Sequence, residues 1–232
     1  MGRLFFLYST GDIDWKNIEN MQNLLQQAKR EAMLNTAFTT FKHYGYNKAS
    51  MSDIATALGI SRTALYSYFE NKEDIFRCVA ISITESALDE AKRCLGLAAL
   101  DLTSRIEAAL LARYLPFHQM MIESAHGADL YEAYRRLCGD TFADSFAQSQ
   151  DMFAAALKSA NRKKEIDLEA ALLTASAASE VLNLTILGLR HSTADVEIYK
   201  KRVNSFVGVF MRGLRSESLP RDMHHTNAPL EE

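Results

Sequence analysis

Between Ser61 and Phe69 the residue types divide by side. On a helix of period 3.6, Leu65 and Phe69 stand four apart and must face a core, so Arg62, Thr63, Tyr66 and Ser67 project the other way. The chemistry open to that ridge is hydrogen bonding to nucleic acid. Arg62 can donate two hydrogen bonds to guanine O6 and N7, a contact worth ~1–3 kcal/mol of discrimination, or it can grip a phosphate, and both options stay open. Tyr66 is amphipathic: its ring can lie along a sugar while its hydroxyl reaches a phosphate. Tyr68 borders the apolar stripe and could belong to either face.

Two short helices joined by a tight turn would hold this ridge outward. Ser50 can accept the orphan amide of Asp53 while the Asp53 carboxylate reaches back, a capping-box start for a helix running to Leu58. Gly59 stands at the turn, where a positive φ costs a residue with a Cβ ~1–2 kcal/mol. Ala55 is small where the helices cross, Ile54, Leu58, Ile60 and Leu65 supply the facing apolar groups, and Ser61 caps the second helix through Phe69. Small, glycine, apolar and cap residues at these offsets form a helix-turn-helix, whose second helix enters the DNA major groove.

The surrounding pattern is helical throughout, and the expected fold class is all-α. Few of the 232 residues break helices (10 Gly, 3 Pro), and 48% are hydrophobic, too many for a disordered chain. A first long helix is expected from Met21 to Tyr44, with Leu25, Ala28, Ala32, Leu34, Ala37, Phe38, Phe41 and Tyr44 on its buried stripe and Gly45 ending it. Asn71 caps a fourth helix from Lys72 to about Leu95. Five more follow: Leu102–Ser124 with Pro116 kinking or ending it, Ala128–Cys138, Asp140–Ala160, Leu168–Leu189 and Ala194–Leu214. The expected organisation is a poorly structured extension (1–20), a DNA-binding head (21–71), a larger helical body (72–215) and a mobile tail (216–232).

The net charge of −3 masks an uneven distribution: the three blocks 1–20, 21–78 and 79–232 carry −1, +2 and −4. The mildly basic middle block is where a polyanion would bind. No apolar run approaches the ~18 residues of a membrane span, and the run Leu4–Tyr8 is shorter than a secretory h-region of ~7–15. Three unevenly spaced cysteines, Cys78, Cys94 and Cys138, fit a reduced, cytoplasmic setting. No metal-binding spacing, P-loop, GxGxxG or nucleophile elbow occurs, so neither cofactor nor metal nor catalysis is expected.

Three segments, REAMLNTAFTTFKHYGY (Arg30–Tyr46), MSDIATALGIS and RTALYSYFENKEDIF to Phe76, make the chain similar to the TetR (tetracycline-repressor) family of bacterial transcription regulators. The detailed likeness covers about residues 30–77. It implies a three-helix DNA-binding head on a helical ligand and dimer domain. Ser50 and Lys72 resemble that family's phosphate clamps, at helix N-termini whose free amides favour an oxyanion, with Lys48 adding charge beside Ser50. On that footing Lys72→Ala would weaken specific and random DNA binding alike and flatten the salt slope by ~0.9.

A +2 head is weak for a monomer, so a homodimer reading a palindromic operator is expected. The resemblance places the dimer in the last two helices, where Ala170, Ala171, Ala175, Ala177 and Ala178 are small and Leu182, Ile186, Phe206, Val207 and Phe210 supply bulk. An effector pocket between the middle helices could be lined by Tyr114, Phe117, His118, Met121, Phe142, Phe146 and Phe153, apolar enough for an uncharged or amphipathic organic molecule. The expected function is a transcriptional repressor released by a small ligand. An activator or ligand-independent regulator is the alternative, and a helical protein-interaction module a remote one.

Overall fold

The computed structural model describes residues 15–190 and 193–215, with the side chains of 15–23 and of 121 excepted. Among the described residues all regular structure is α-helical. The helices are α1 (Trp15–Tyr44), α2 (Met51–Leu58), α3 (Arg62–Tyr66), α4 (Lys72–Leu95), α5 (Leu102–Glu123), α6 (Gly127–Leu137), α7 (Gly139–Arg162), α8 (Ala175–Arg190) and α9 (Val196–Gly213). Helices α1–α3 form a head, and α4 leaves it to run along α5 in a body completed by α7, α8 and α9.

Local chemistry sets the boundaries. Ser50, Ser61 and Asn71 each accept a hydrogen bond from the amide three residues on, which starts α2, α3 and α4. Gly45 (φ +79°) and Gly59 (φ +67°) adopt the left-handed conformation that ends α1 and α2. Helix α5 continues through Pro116 to Glu123 instead of stopping there.

Other boundaries differ from expectation. Helix α1 begins at Trp15, so residues 15–20 are helical instead of an unstructured extension; residues 1–14 and the tail 216–232 lie outside the described residues. The buried stripe of α1 starts only at Met33, and Leu25, Ala28 and Ala32 are exposed; the neighbours that reach this end of α1 meet its polar side, where Lys29 bonds Tyr68 and Arg30 bonds Cys78. Helix α3 stops at Tyr66, where the Ser67 hydroxyl donates to the Ala64 carbonyl at 2.6 Å and the backbone tightens into a turn. Helix α8 starts at Ala175, not Leu168. Leu172 sits at φ +54°, and Thr174 caps the new start by accepting from the Ala177 amide, while the looped segment before it still buries Ile166 and Leu168.

Apolar burial falls into two clusters. The first joins the head (Phe41, Ile54, Leu65, Phe69) and Phe76 of α4 to the end of α5 and to α6 through Phe117, Leu130, Tyr134 and Leu137. The second fills the far end of the body from α4, α5, α7, α8 and α9 with Ile106, Leu110, Phe153, Leu182 and Tyr199. Helix α5 crosses from one to the other between Tyr114 and Phe117.

Candidate nucleic-acid interface and effector chamber

Leu65 anchors α3 with no exposed surface, and Phe69 is 4% exposed beside it. Ser61, Arg62, Thr63, Tyr66 and Ser67 all face solvent, so the division expected from spacing is the one observed. The Arg62 guanidinium donates to the Tyr66 hydroxyl at 3.1 Å and stands 5.5 Å from its ring centroid. That stacking holds two flexible groups side by side and lowers the rotamer entropy lost on binding. Tyr68 is half exposed. Its hydroxyl accepts from the Lys29 ammonium at 2.9 Å, which ties it to α1.

Ser50 and Lys48 are exposed. The Ser50 hydroxyl, at 2.6 Å, and the Ser50 amide, at 2.9 Å, donate to the Asp53 carboxylate and hold its pKa below the ordinary value, and the same hydroxyl accepts from the Asp53 amide at 3.2 Å. Lys72 is placed differently from a side chain reaching outward. Its ammonium donates inward to the carbonyls of Tyr46 at 2.7 Å and Asn47 at 3.3 Å and lies 4.5 Å over the Tyr46 ring. Partial burial lowers its pKa. In this position Lys72 locks the turn between α1 and α2 onto α4, while the first turn of α4 still presents its amides.

Helix α6 grips the same turn from the other side. The Asp129 carboxylate accepts from the Asn47 amide at 3.1 Å and from Asn47 Nδ2 at 2.5 Å, and the Ser124 hydroxyl donates to the Lys42 carbonyl at 2.9 Å. A Cβ on Gly45 would lie 2.5 Å from Asp129 Oδ2, so only glycine admits this approach. Where α6 passes into α7, Arg77 of α4 donates to the Leu137 carbonyl and to the Asp140 carboxylate at 2.8 Å. The head is thereby fastened to the start of α6, and α4 to the exit of that helix.

The expected pocket residues do not line a single space. Phe117 and Phe142 pack with the head-side cluster, whereas Tyr114 and Phe153 belong to the far cluster, Phe153 with no exposure. His118 is buried, its ring centroid 4.4 Å from that of Tyr199. Phe146 stacks on Phe142 with centroids 6.1 Å apart, and the Met121 side chain lies outside those described. A pocket of about 220 Å³ is lined by Tyr131, Tyr134, Arg135, Gly139, Phe142 and Arg190, so one residue of the expected seven, Phe142, is in its wall.

Sequence reasoning passed over the polar layer between the two apolar clusters. Asn183 is fully buried; its Oδ1 accepts from the hydroxyls of Tyr114 (2.5 Å) and Ser149 (2.8 Å), and its Nδ2 donates to the Ser179 carbonyl (2.8 Å). Arg113 is 2% exposed and donates to Ser145 Oγ at 3.0 Å. A lone charge in the otherwise apolar run from Ala108 to Phe117 was the available signal.

Residues 33–79 match the family described as "Bacterial regulatory proteins, tetR family". An HTH-type transcriptional repressor of Mycobacterium tuberculosis is 35% identical over 28% of this chain and 35% of its own length. An HTH-type transcriptional regulator of Bacillus subtilis is 39% identical over 28% of this chain and 30% of its own. The chain thus spans about a third of the curated relatives it matches. Among solved structures, a transcriptional regulator from Cytophaga hutchinsonii superposes with TM-score 0.68 at 22% identity, covering 81% of this chain and 99% of that one. SmeT, the repressor of a Stenotrophomonas maltophilia multidrug efflux pump, superposes in its complex with triclosan with TM-score 0.60 at 20% identity over 88% and 100%. These structures share the fold: a helix-turn-helix head on a helical body.

Proposed function

We propose that this chain, which belongs to the TetR family of bacterial regulatory proteins, is a dimeric transcriptional repressor that leaves its operator when a small organic molecule enters the body. The observation that carries the reading is the α3 ridge: Arg62, Thr63 and Tyr66 on the helix and Ser61 and Ser67 at its caps all open to solvent, opposite the buried Leu65. Arg62 and Tyr66 read or grip DNA there, and the N-terminal amides of α2 and α4 receive phosphates on either side. Lys72 serves this indirectly, by fixing the turn that sets α2 against α4.

The dimer supplies a second ridge. Leu182, Ile186 and Val207, offered above as bundle residues, are buried within the subunit, and Ala170 and Ala171 precede α8. The outward apolar groups are Val181 and Leu184 on α8 and Ile198 and Val209 on α9, 41–63% exposed, and these form the face that pairs with a second copy.

Effector response runs through α6, whose Tyr131 and Tyr134 wall the pocket while its Asp129 holds the head. A ligand that favours a shifted α6 pulls the head from the spacing that DNA demands, by as much as its preference for that arrangement. SmeT, which shares the fold, forms a complex with triclosan. The test is selection of bound DNA from a random pool, then gel shift: a palindromic consensus bound in a two-to-one complex, weakened by Arg62→Ala, supports the reading. Indiscriminate binding refutes it.

A further inference from the structure

We propose that the effector is an organic carboxylate, its charged end held by Arg190 at the pocket wall and by Arg113 behind it, and its apolar body among Tyr131, Tyr134 and Phe142; this deepens the effector reading above and rests on it. Arg113 is 2% exposed, and its Nε has no hydrogen-bond partner among the described residues. The groups that act on its charge are the phenols of Tyr114 and Tyr134, with no carboxylate between them, and none of the ion pairs among the described residues includes it. A guanidinium keeps its proton in a protein, and a buried charge without a counter-ion is strongly disfavoured. The missing counter-ion must come from elsewhere.

The surroundings say what carries it. Arg190 lines the pocket; its buried Nε has no hydrogen-bond partner among the described residues, and its guanidinium lies 5.5 Å from the centroid of the Tyr131 ring. Arg113 is not in the wall itself but lies behind it: its guanidinium donates to Ser145 Oγ at 3.0 Å, and that hydroxyl donates to the carbonyl of the wall residue Phe142 at 3.1 Å. The buried Tyr199 hydroxyl is a third polar group without a hydrogen-bond partner among the described residues. Two guanidinium forks match the planar oxygens of a carboxylate. The pocket of about 220 Å³ is below the ~300–1,000 Å³ of ordinary ligand clefts, and its three aromatic walls suit a short alkyl chain or single ring.

The experiment uses the full chain, calorimetry and thermal shift, and hexanoate through dodecanoate with the phenylalkanoates, each beside its amide. Acids are expected to bind roughly tenfold or more tightly than their amides. Arg113→Met is expected to erase that preference and to raise the melting temperature of the ligand-free protein, because an unpaired buried charge is gone. A purely structural arginine would instead lower the melting temperature and leave the preference intact. Arg190→Gln, at the more open end, should weaken the acids severalfold and guards against misfolding of the first variant. Amides binding as well as acids, no acid binding at all, or unchanged acid preference in both variants overturns the proposal. An acid that binds yet leaves operator affinity unaltered removes the release reading and keeps the anion seat. A neutral compound that releases DNA does the reverse.

Discussion

Asp129→Ala should loosen the head from the body. The carboxylate accepts two hydrogen bonds from Asn47, at 3.1 Å and 2.5 Å, and steadies the nearby Lys72 ammonium. Bonds to a charged acceptor are worth ~1.5–3 kcal/mol when buried and nearer ~0.5–1.5 kcal/mol when water can replace them. The Asp129 side chain is half-buried, so the lower range applies and the pair contributes about 1–3 kcal/mol. For a chain of this size each kcal/mol moves the melting temperature by ~2–4 °C, which gives a fall of roughly 2–12 °C. Calorimetry reads the total, and hydrogen exchange reads its location: amides 45–50 should lose protection while those of α8 keep theirs. An Asn47→Ala/Asp129→Ala cycle isolates the contact, and strictly additive losses would refute the reasoning. So would an unchanged melting temperature with unchanged protection in the α1–α2 turn.

Arg62→Ala should cost ~1–3 kcal/mol against the selected operator and relax preference at one base, whereas uniform weakening on all sequences would assign Arg62 to a phosphate. Gly45→Ala should destabilise more than Gly59→Ala: both carry a positive φ worth ~1–2 kcal/mol to a Cβ, but only at Gly45 does that Cβ meet another residue, and equal losses would remove Asp129 from the account. Ser50→Ala should destabilise more near neutral pH than in acid. The Asp53 carboxyl is held below its unfolded value by Ser50, so that part of the effect is present above about pH 4 and vanishes as pH falls through the folded pKa, while the cap bond from the Asp53 amide remains. A parent–variant gap of the same size at both pH values, followed by thermal melts, would contradict that. Lys72→Met should lower the melting temperature as well as DNA affinity, because the ammonium bridges two backbone carbonyls; loss of affinity with unchanged melting would return it to a purely electrostatic role.

The head was legible because its constraints are local. Ser50, Gly59, Ser61 and Asn71 act within four residues of themselves, and the faces of α3 follow from the spacing of Leu65 and Phe69. Lys72 was harder to place, since both carbonyls it reaches lie 25 or more residues away in the chain. The body was legible as helices but not as a site. An amphipathic stripe says that a residue is buried and not whether it faces protein or an opening, so Phe153 joined the core and Phe142 the pocket wall. Arg113, Asn183 and Arg190 gather from α5 and α8, and no periodicity within one helix announces such a meeting. Leu168–Thr174 looked helical because its composition is, until a backbone turn at Leu172 and the Thr174 cap decided otherwise.

The boundary between head and body deserves a different drawing from the one at Lys72. Leu130, Ala133, Tyr134 and Leu137 of α6 share the cluster that buries Phe41, Ile54 and Phe76. Cutting the chain after the third helix would strip the reading head of a wall and leave apolar rings bare to water. Moving this head onto another body therefore means carrying α6 along or re-surfacing what it shelters.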